Sequence, residues 1–177
     1  IDTVVQDTLG NSYTVTFNLV RDPADHTWNL SVSRITDKST GNYTETTNDL
    51  IDGNSIKLVF SDKGELVTIG DNNLKDDTTV NFKTLLKIPS DLSFNFNKDN
   101  EELATDKVTK PGGSFNDITI FDSDKEDSFR HIYQYANEMD IKPYAENGNT
   151  SGTLEGFAID ATGTVVGVFT NGERKSL

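Results

Sequence analysis

The chain contains no cysteine, which removes disulfides, thiol nucleophiles and every cysteine-based zinc site. It has one methionine, one tryptophan and two histidines, so imidazole and thioether chemistry have almost no material to work with. Basic residues are scarce: 16 Lys and Arg stand against 29 Asp and Glu, a formal charge of −13. Such a chain is repelled by nucleic-acid phosphates and by anionic membrane surfaces. No apolar run approaches the length of a membrane span, and no signal peptide is visible. The sequence begins at Ile1 rather than Met, which reads as a fragment of a longer protein.

What remains is 177 residues, a third of them apolar. That is lean for a globular protein, but enough for one domain, or one and a fraction, with a real core. The dominant pattern is short apolar runs broken by Gly, Asp and Asn. Ile1–Gln6, Tyr13–Val20, Trp28–Ile35, Ile56–Phe60 and Glu65–Ile69 read as strands, and Val80–Ile88 and Leu92–Phe96 as further short ones broken by Pro89. In Trp28–Ile35 alternation places Trp28, Leu30, Val32 and Arg34 on one face. Residues 36 to 55, rich in Thr, Asn, Asp, Gly and Ser, read as a loop or a weak edge hairpin. Near the end, Leu154–Ile159 and Val165–Phe169 flank an Asp160-Ala-Thr-Gly163 turn, and Asn171-Gly172 opens another. One segment departs from this pattern: Phe129, Ile132, Tyr133, Ala136 and Met139 fall on one helical face, preceded by Asp124, Glu126 and Asp127. The expected fold is therefore mainly β, an antiparallel sandwich or open barrel with one short helix near 127–139.

Candidate chemical sites are few. Asp122-Ser-Asp124-Lys-Glu126-Asp127 starts like a calcium loop, but Asp127 and Tyr133 stand where the loop needs Gly and Glu. An acidic helix cap is the simpler reading. His26 and His131 lie far apart without companions at ligand spacing. Glu101-Glu102 is a charged loop, Gly112-Gly113 a turn, and no nucleophile elbow, phosphate loop or dinucleotide fingerprint appears. Trp28 with Tyr13, Tyr43, Tyr133, Tyr135 and Tyr144 could stack on sugars, but a lone Trp on a cleanly alternating strand reads as core. No catalytic, cofactor-binding or metal residue is assigned, and no cofactor is expected.

Two passages carry a resemblance. The first is Val4-Val-Gln-Asp7-Thr-Leu-Gly10-Asn11-Ser-Tyr-Thr-Val, continuing to Trp28. The second is Tyr135-Ala, then Asn147-Gly148, Gly152-Thr-Leu-Glu-Gly156-Phe, Ile159-Asp160, Gly163 and Asn171-Gly172 before Leu177. In this order they resemble the bacterial flagellar hook protein, and Phe60-Ser-Asp62-Lys-Gly64 looks like that family's middle hairpin. Asn149 and Thr170 depart from the family's usual Tyr and Ser, and residues 70 to 126 match nothing recognisable.

The resemblance implies an outer β-domain over residues 1 to 125, with 126 to 177 returning toward an inner domain. It implies a structural subunit, not an enzyme, of the curved tube that passes motor torque to the filament. Its expected partners are other copies of itself, with the hook cap and hook–filament junction proteins. Its expected place is extracellular, reached through the flagellar export channel. The competing class is an extracellular carbohydrate-binding or adhesin β-sandwich, which would need exposed aromatics on one face.

Overall fold

A computed structural model describes the chain apart from residues 24–25, 46–49, 52–53, 75–81, 100, 125–131, 135–150, 160–162 and 177. Its first half is an antiparallel meander. The strands β1 (Asp2–Gln6), β2 (Ser12–Arg21), β3 (Thr27–Asp37), β5 (Ile56–Phe60), β6 (Leu66–Ile69) and β7 (Asn72–Asn73) pair in that order, and β4 (Tyr43–Thr44) adds to β3. The sheet curls into a half-barrel. The mainly-β expectation holds, and each of the five early strands read from the sequence is present.

The longest strands show why the fold forms. Along β2, Tyr13 and Val15 are buried and Phe17 and Leu19 pack against the core, which is period-two alternation with one face inward. Along β3, Leu30 and Val32 share that face, but Arg34 does not. The register shifts so that Thr16 faces Arg34 while Phe17 faces Val32, leaving Ser33 as an extra residue. Its hydroxyl donates to the Thr16 carbonyl at 3.0 Å. A bulge flips the parity of everything beyond it. Arg34 therefore turns outward and lies over the Tyr43 ring at 5.4 Å, while Ile35 becomes fully buried. The expected placement of Arg34 beside Trp28 is corrected on this ground.

A second layer closes the core. β8 (Lys83–Leu86) and β9 (Ile118–Asp122) form a two-stranded sheet, and Ile51 bridges to Leu86. Leu86, Ile88, Leu92, Phe94 and Phe121 join Val15, Ile35, Leu58 and Ile69 in one apolar cluster. Tyr13 stacks on Phe94 at 5.6 Å and meets Phe115 edge-on at 5.0 Å. Leu92–Phe96, expected as a strand, instead makes single bridges, Phe94 with Thr109 and Phe96 with Tyr43 and Glu102. The strand β9 was not foreseen.

The third sheet is separate: β10 (Leu154–Ile159), β11 (Val165–Phe169) and β12 (Arg174–Ser176), in that order. The two hairpins read at the end of the sequence are both there. The helix expected over 127–139 falls mostly outside the described residues. Of its described part, Tyr133 forms an antiparallel bridge with Glu65, so those residues are extended against the β5–β6 turn rather than helical. A bridging partner across the turn satisfies the backbone that a helix would otherwise have to satisfy internally.

Candidate functional site

Asp7, in the loop between β1 and β2, is buried and accepts five hydrogen bonds through its carboxylate. Here the chain reverses over Asp7-Thr-Leu-Gly10-Asn11. The Asp7 amide donates to the Asn11 carbonyl and the Gly10 amide to the Asp7 carbonyl, both at 3.0 Å. Gly10 sits at φ +82°, a conformation that side chains resist. The Asp7 carboxylate then works in two directions. Oδ1 accepts the Leu9 and Asn11 amides at 2.9 Å each, closing the local turn. Oδ2 accepts Asn11 Nδ2 at 2.8 Å, the Gly113 amide at 2.9 Å and the Tyr13 hydroxyl at 3.2 Å.

The bond to Gly113 crosses 106 residues of sequence. Around it, the Thr8 amide donates to the Ser114 carbonyl at 2.8 Å and the Ser114 amide to Thr8 Oγ1 at 3.1 Å. Gly113 has no room for a side chain: a Cβ there would lie 2.8 Å from Thr8 Oγ1 and 3.0 Å from Asp7 Cγ. Asp7 thus staples the β1–β2 loop to the Pro111-Gly-Gly113 loop.

Asp7 is only 6% exposed. Burial alone pushes its carboxyl up, but the bonds from Asn11, Gly113 and Leu9 outweigh it and hold the group below its ordinary value. Tyr13 moves the other way. Burial raises it, a backbone bond with Gly112 opposes the rise, and the charge of Asp7 adds to it. A carboxylate whose lone pairs are filled by five protein donors has nothing left for a substrate or a cation. The arrangement is a structural fastener, not a catalytic pair.

The residues singled out from the sequence do not converge on it. Asp122 is buried at the end of β9, where Lys83 Nζ lies 3.3 Å away and the Asp124 amide donates to it at 3.0 Å. Glu126 and Asp127 lie outside the described residues, as do His131, Tyr135 and Tyr144. Among the described residues, no three His, Asp or Glu side chains are grouped as a metal would require. His26 takes a left-handed φ of 58° in the β2–β3 turn, with Nε2 3.6 Å from the fully exposed Asp62 carboxylate. Glu101 closes an exposed turn on Asn97, and Glu102 bridges Phe96.

Of the aromatics singled out from the sequence, Tyr133 is exposed, and Tyr135 and Tyr144 lie outside the described residues. Tyr13 and Tyr43 are buried. Trp28 is half-buried and faces a cavity of about 80 Å³ walled by Leu19, Leu30, Leu58, Phe60 and Phe121, with Ile132–Gln134 alongside.

Among the described residues, the returning chain bonds to the main sheet at two turns. The Gln134 amide donates to the Gly64 carbonyl at 2.8 Å, beside the Tyr133–Glu65 bridge. The Ser151 amide approaches the Gly10 carbonyl at 3.4 Å. Beyond it, Thr153 and Thr170 exchange bonds that align β10 with β11. In this hairpin Glu155 is the extra residue of a bulge. The register then places Leu154, Phe157, Ile159 and Val165 on one face, and all four are exposed, Phe157 to 72%.

Fold and site together define a β-structural module, its loops fastened by a saturated carboxylate. The chain belongs to the flagellar basal body protein FlaE D2 domain family, whose model matches residues 2–149. That span includes residues 70–126, which the resemblance read from the motifs had left unassigned. No curated protein matched the chain. The Asp7–Asn11 turn lies within the matched span, and its role here is the staple to Gly113. A sequence signal for it existed, an Asp with Gly and Asn three and four residues on, but nothing local pointed to the partner loop.

Proposed function

We propose that this chain is the outer part of a structural subunit of the bacterial flagellar hook, the curved tube that transmits motor torque to the filament. The observation that carries the reading is the D2 family match over residues 2–149. In this reading residues 1 to 125 form the outer domain and 126 to 177 return toward the inner one. The partners are further copies of the same subunit in the tube wall, with cap and junction proteins at its ends. The subunit is exported through the flagellar channel, works outside the cell and carries no catalytic, metal or cofactor site.

The physical support is consistent. A bending tube needs outer units that slide past one another without unfolding. That calls for a rigid β-unit with polar, wet contacts, which exchange at low cost. A staple that fastens loops 106 residues apart provides rigidity, and a net charge of −13 keeps a crowded surface soluble.

Immunogold electron microscopy with antibody against the chain tests the reading on flagellated cells of the source organism. Gold confined to the short curved segment between cell body and filament is the expected result. Label along the filament, spread over the cell surface, or missing from flagella would refute it.

A further inference from the structure

Six described glycines have left-handed φ: Gly10, Gly41, Gly64, Gly70, Gly163 and Gly172. The turn conformation alone accounts for a glycine at each. Two of them carry a second constraint. A Cβ on Gly64 would fall on the Gln134 carbonyl oxygen and lie 3.3 Å from its carbon. A Cβ on Gly10 would fall on the Ser151 amide nitrogen and lie 2.7 Å from its Cα. At Gly70, Gly163 and Gly172 nothing lies within 4 Å, and at Gly41 only a lysine Cβ at 4.0 Å. Both covered glycines lie where described backbone of the returning chain meets the sheet, and each also hydrogen-bonds that chain through its own carbonyl.

We propose that Gly10 and Gly64 are backbone sockets for the returning chain, forming a two-point latch that opens without unfolding the sheet. The contact at each point is main chain on main chain, so its strength depends on close approach rather than on side-chain packing. The seat beside Gly64 is incompletely filled. Ile132 and Tyr133 border the apolar cavity of about 80 Å³, and Gln134 Oε1 is buried with no hydrogen-bond partner. A latch that borders an open cleft and carries a buried unpaired oxygen releases more readily than the core beneath it. In a hook subunit, release would let the sheet tilt on its returning chain as the tube bends. That use rests on the proposed function, whereas the latch itself rests on the geometry.

Amide hydrogen exchange on the full chain tests the latch, comparing Gly64→Ala and Gly10→Ala with Gly70→Ala. All three carry the left-handed strain, but only the first two would push the returning chain away. In Gly64→Ala the Gln134 amide should exchange at least about tenfold faster than in Gly70→Ala, and in Gly10→Ala the Ser151 amide likewise, with β2 and β3 amides unchanged. Equal exchange at Gln134 in Gly64→Ala and Gly70→Ala would overturn the proposal, and so would loosening of β2–β3 in step with Gln134. Should Gly64→Ala fail to fold, Gln134→Pro removes the donor from the other side of the socket. Chymotryptic cleavage after Tyr135, whose bond to Ala136 stays cleavable with proline at 134, should then accelerate while the sheet stays folded. Cleavage as slow as in the native chain would overturn the latch.

Discussion

Replacing Asp7 by alanine should be among the most damaging single polar substitutions in this chain, and the structure sets the scale. Five donors lose their acceptor. Those of Leu9 and Asn11 sit on an exposed loop and can turn to water. The Tyr13 hydroxyl, on a residue only 2% exposed, and the half-buried Gly113 amide cannot do so freely. At about 1–3 kcal/mol for each stranded group, the loss comes to about 4 kcal/mol. For a chain of this size that lowers Tm by about 8–16 °C. Asp7→Asn keeps the shape but turns an amide NH₂ toward donors on one side or the other, so about 2–3 kcal/mol should go.

The pH dependence separates this account from a packing defect. Asp7 titrates lower in the folded state than its ordinary 3.8, so its contribution is complete above that value. It is lost as pH falls through the folded-state pKa. The gap between native and Asp7→Asn chains should therefore be full at pH 7 and close toward pH 2. Urea denaturation followed by circular dichroism at both pH values reads it. A gap below about 0.5 kcal/mol at pH 7, or one unchanged at pH 2, would refute the staple.

The bulge at Ser33 makes Ile35→Ala cost about 3 kcal/mol in the same assay, whereas Arg34→Ala, which loses only the contact over Tyr43, should cost less than about 1 kcal/mol. Similar losses for the two would mean that the parity of β3 has been misread. Tyr13 is raised above its ordinary 10.0, so the folded state favours its protonated form. The resulting stability is complete below pH 10 and falls as pH rises through the folded-state pKa, so Tyr13→Phe should flatten the alkaline limb of the stability profile. Phe157→Ser removes an exposed aromatic from the apolar face of β10. It should change Tm by less than about 2 °C while reducing hydrophobic-dye binding, and a large Tm loss would show that this face is packed.

Period-two runs and turn chemistry are local, and they were enough to read β1, β2, β3, β5, β6 and the two closing hairpins, because alternation and Gly, Asn or Asp at reversals act within a few residues. The reading of β3 as a cleanly alternating strand failed at Arg34, because only the pairing with Thr16 and Phe17 of β2 shows Ser33 to be an extra residue. The turn at Asp7–Asn11 was equally legible as a turn. Its purpose was not, since the carboxylate's distant partner is Gly113, and no local pattern announces a bond spanning 106 residues. For the same reason Gly10 and Gly64 read as ordinary turn glycines until Ser151 and Gln134 were seen lying on them. At 132–134 the helical spacing lost to a bridge with Glu65, a partner that exists only once the β5–β6 hairpin has formed. Local sterics and hydration choose strands and turns, whereas long-range pairing, which must first overcome the entropy of closing long loops, decides what those turns hold together.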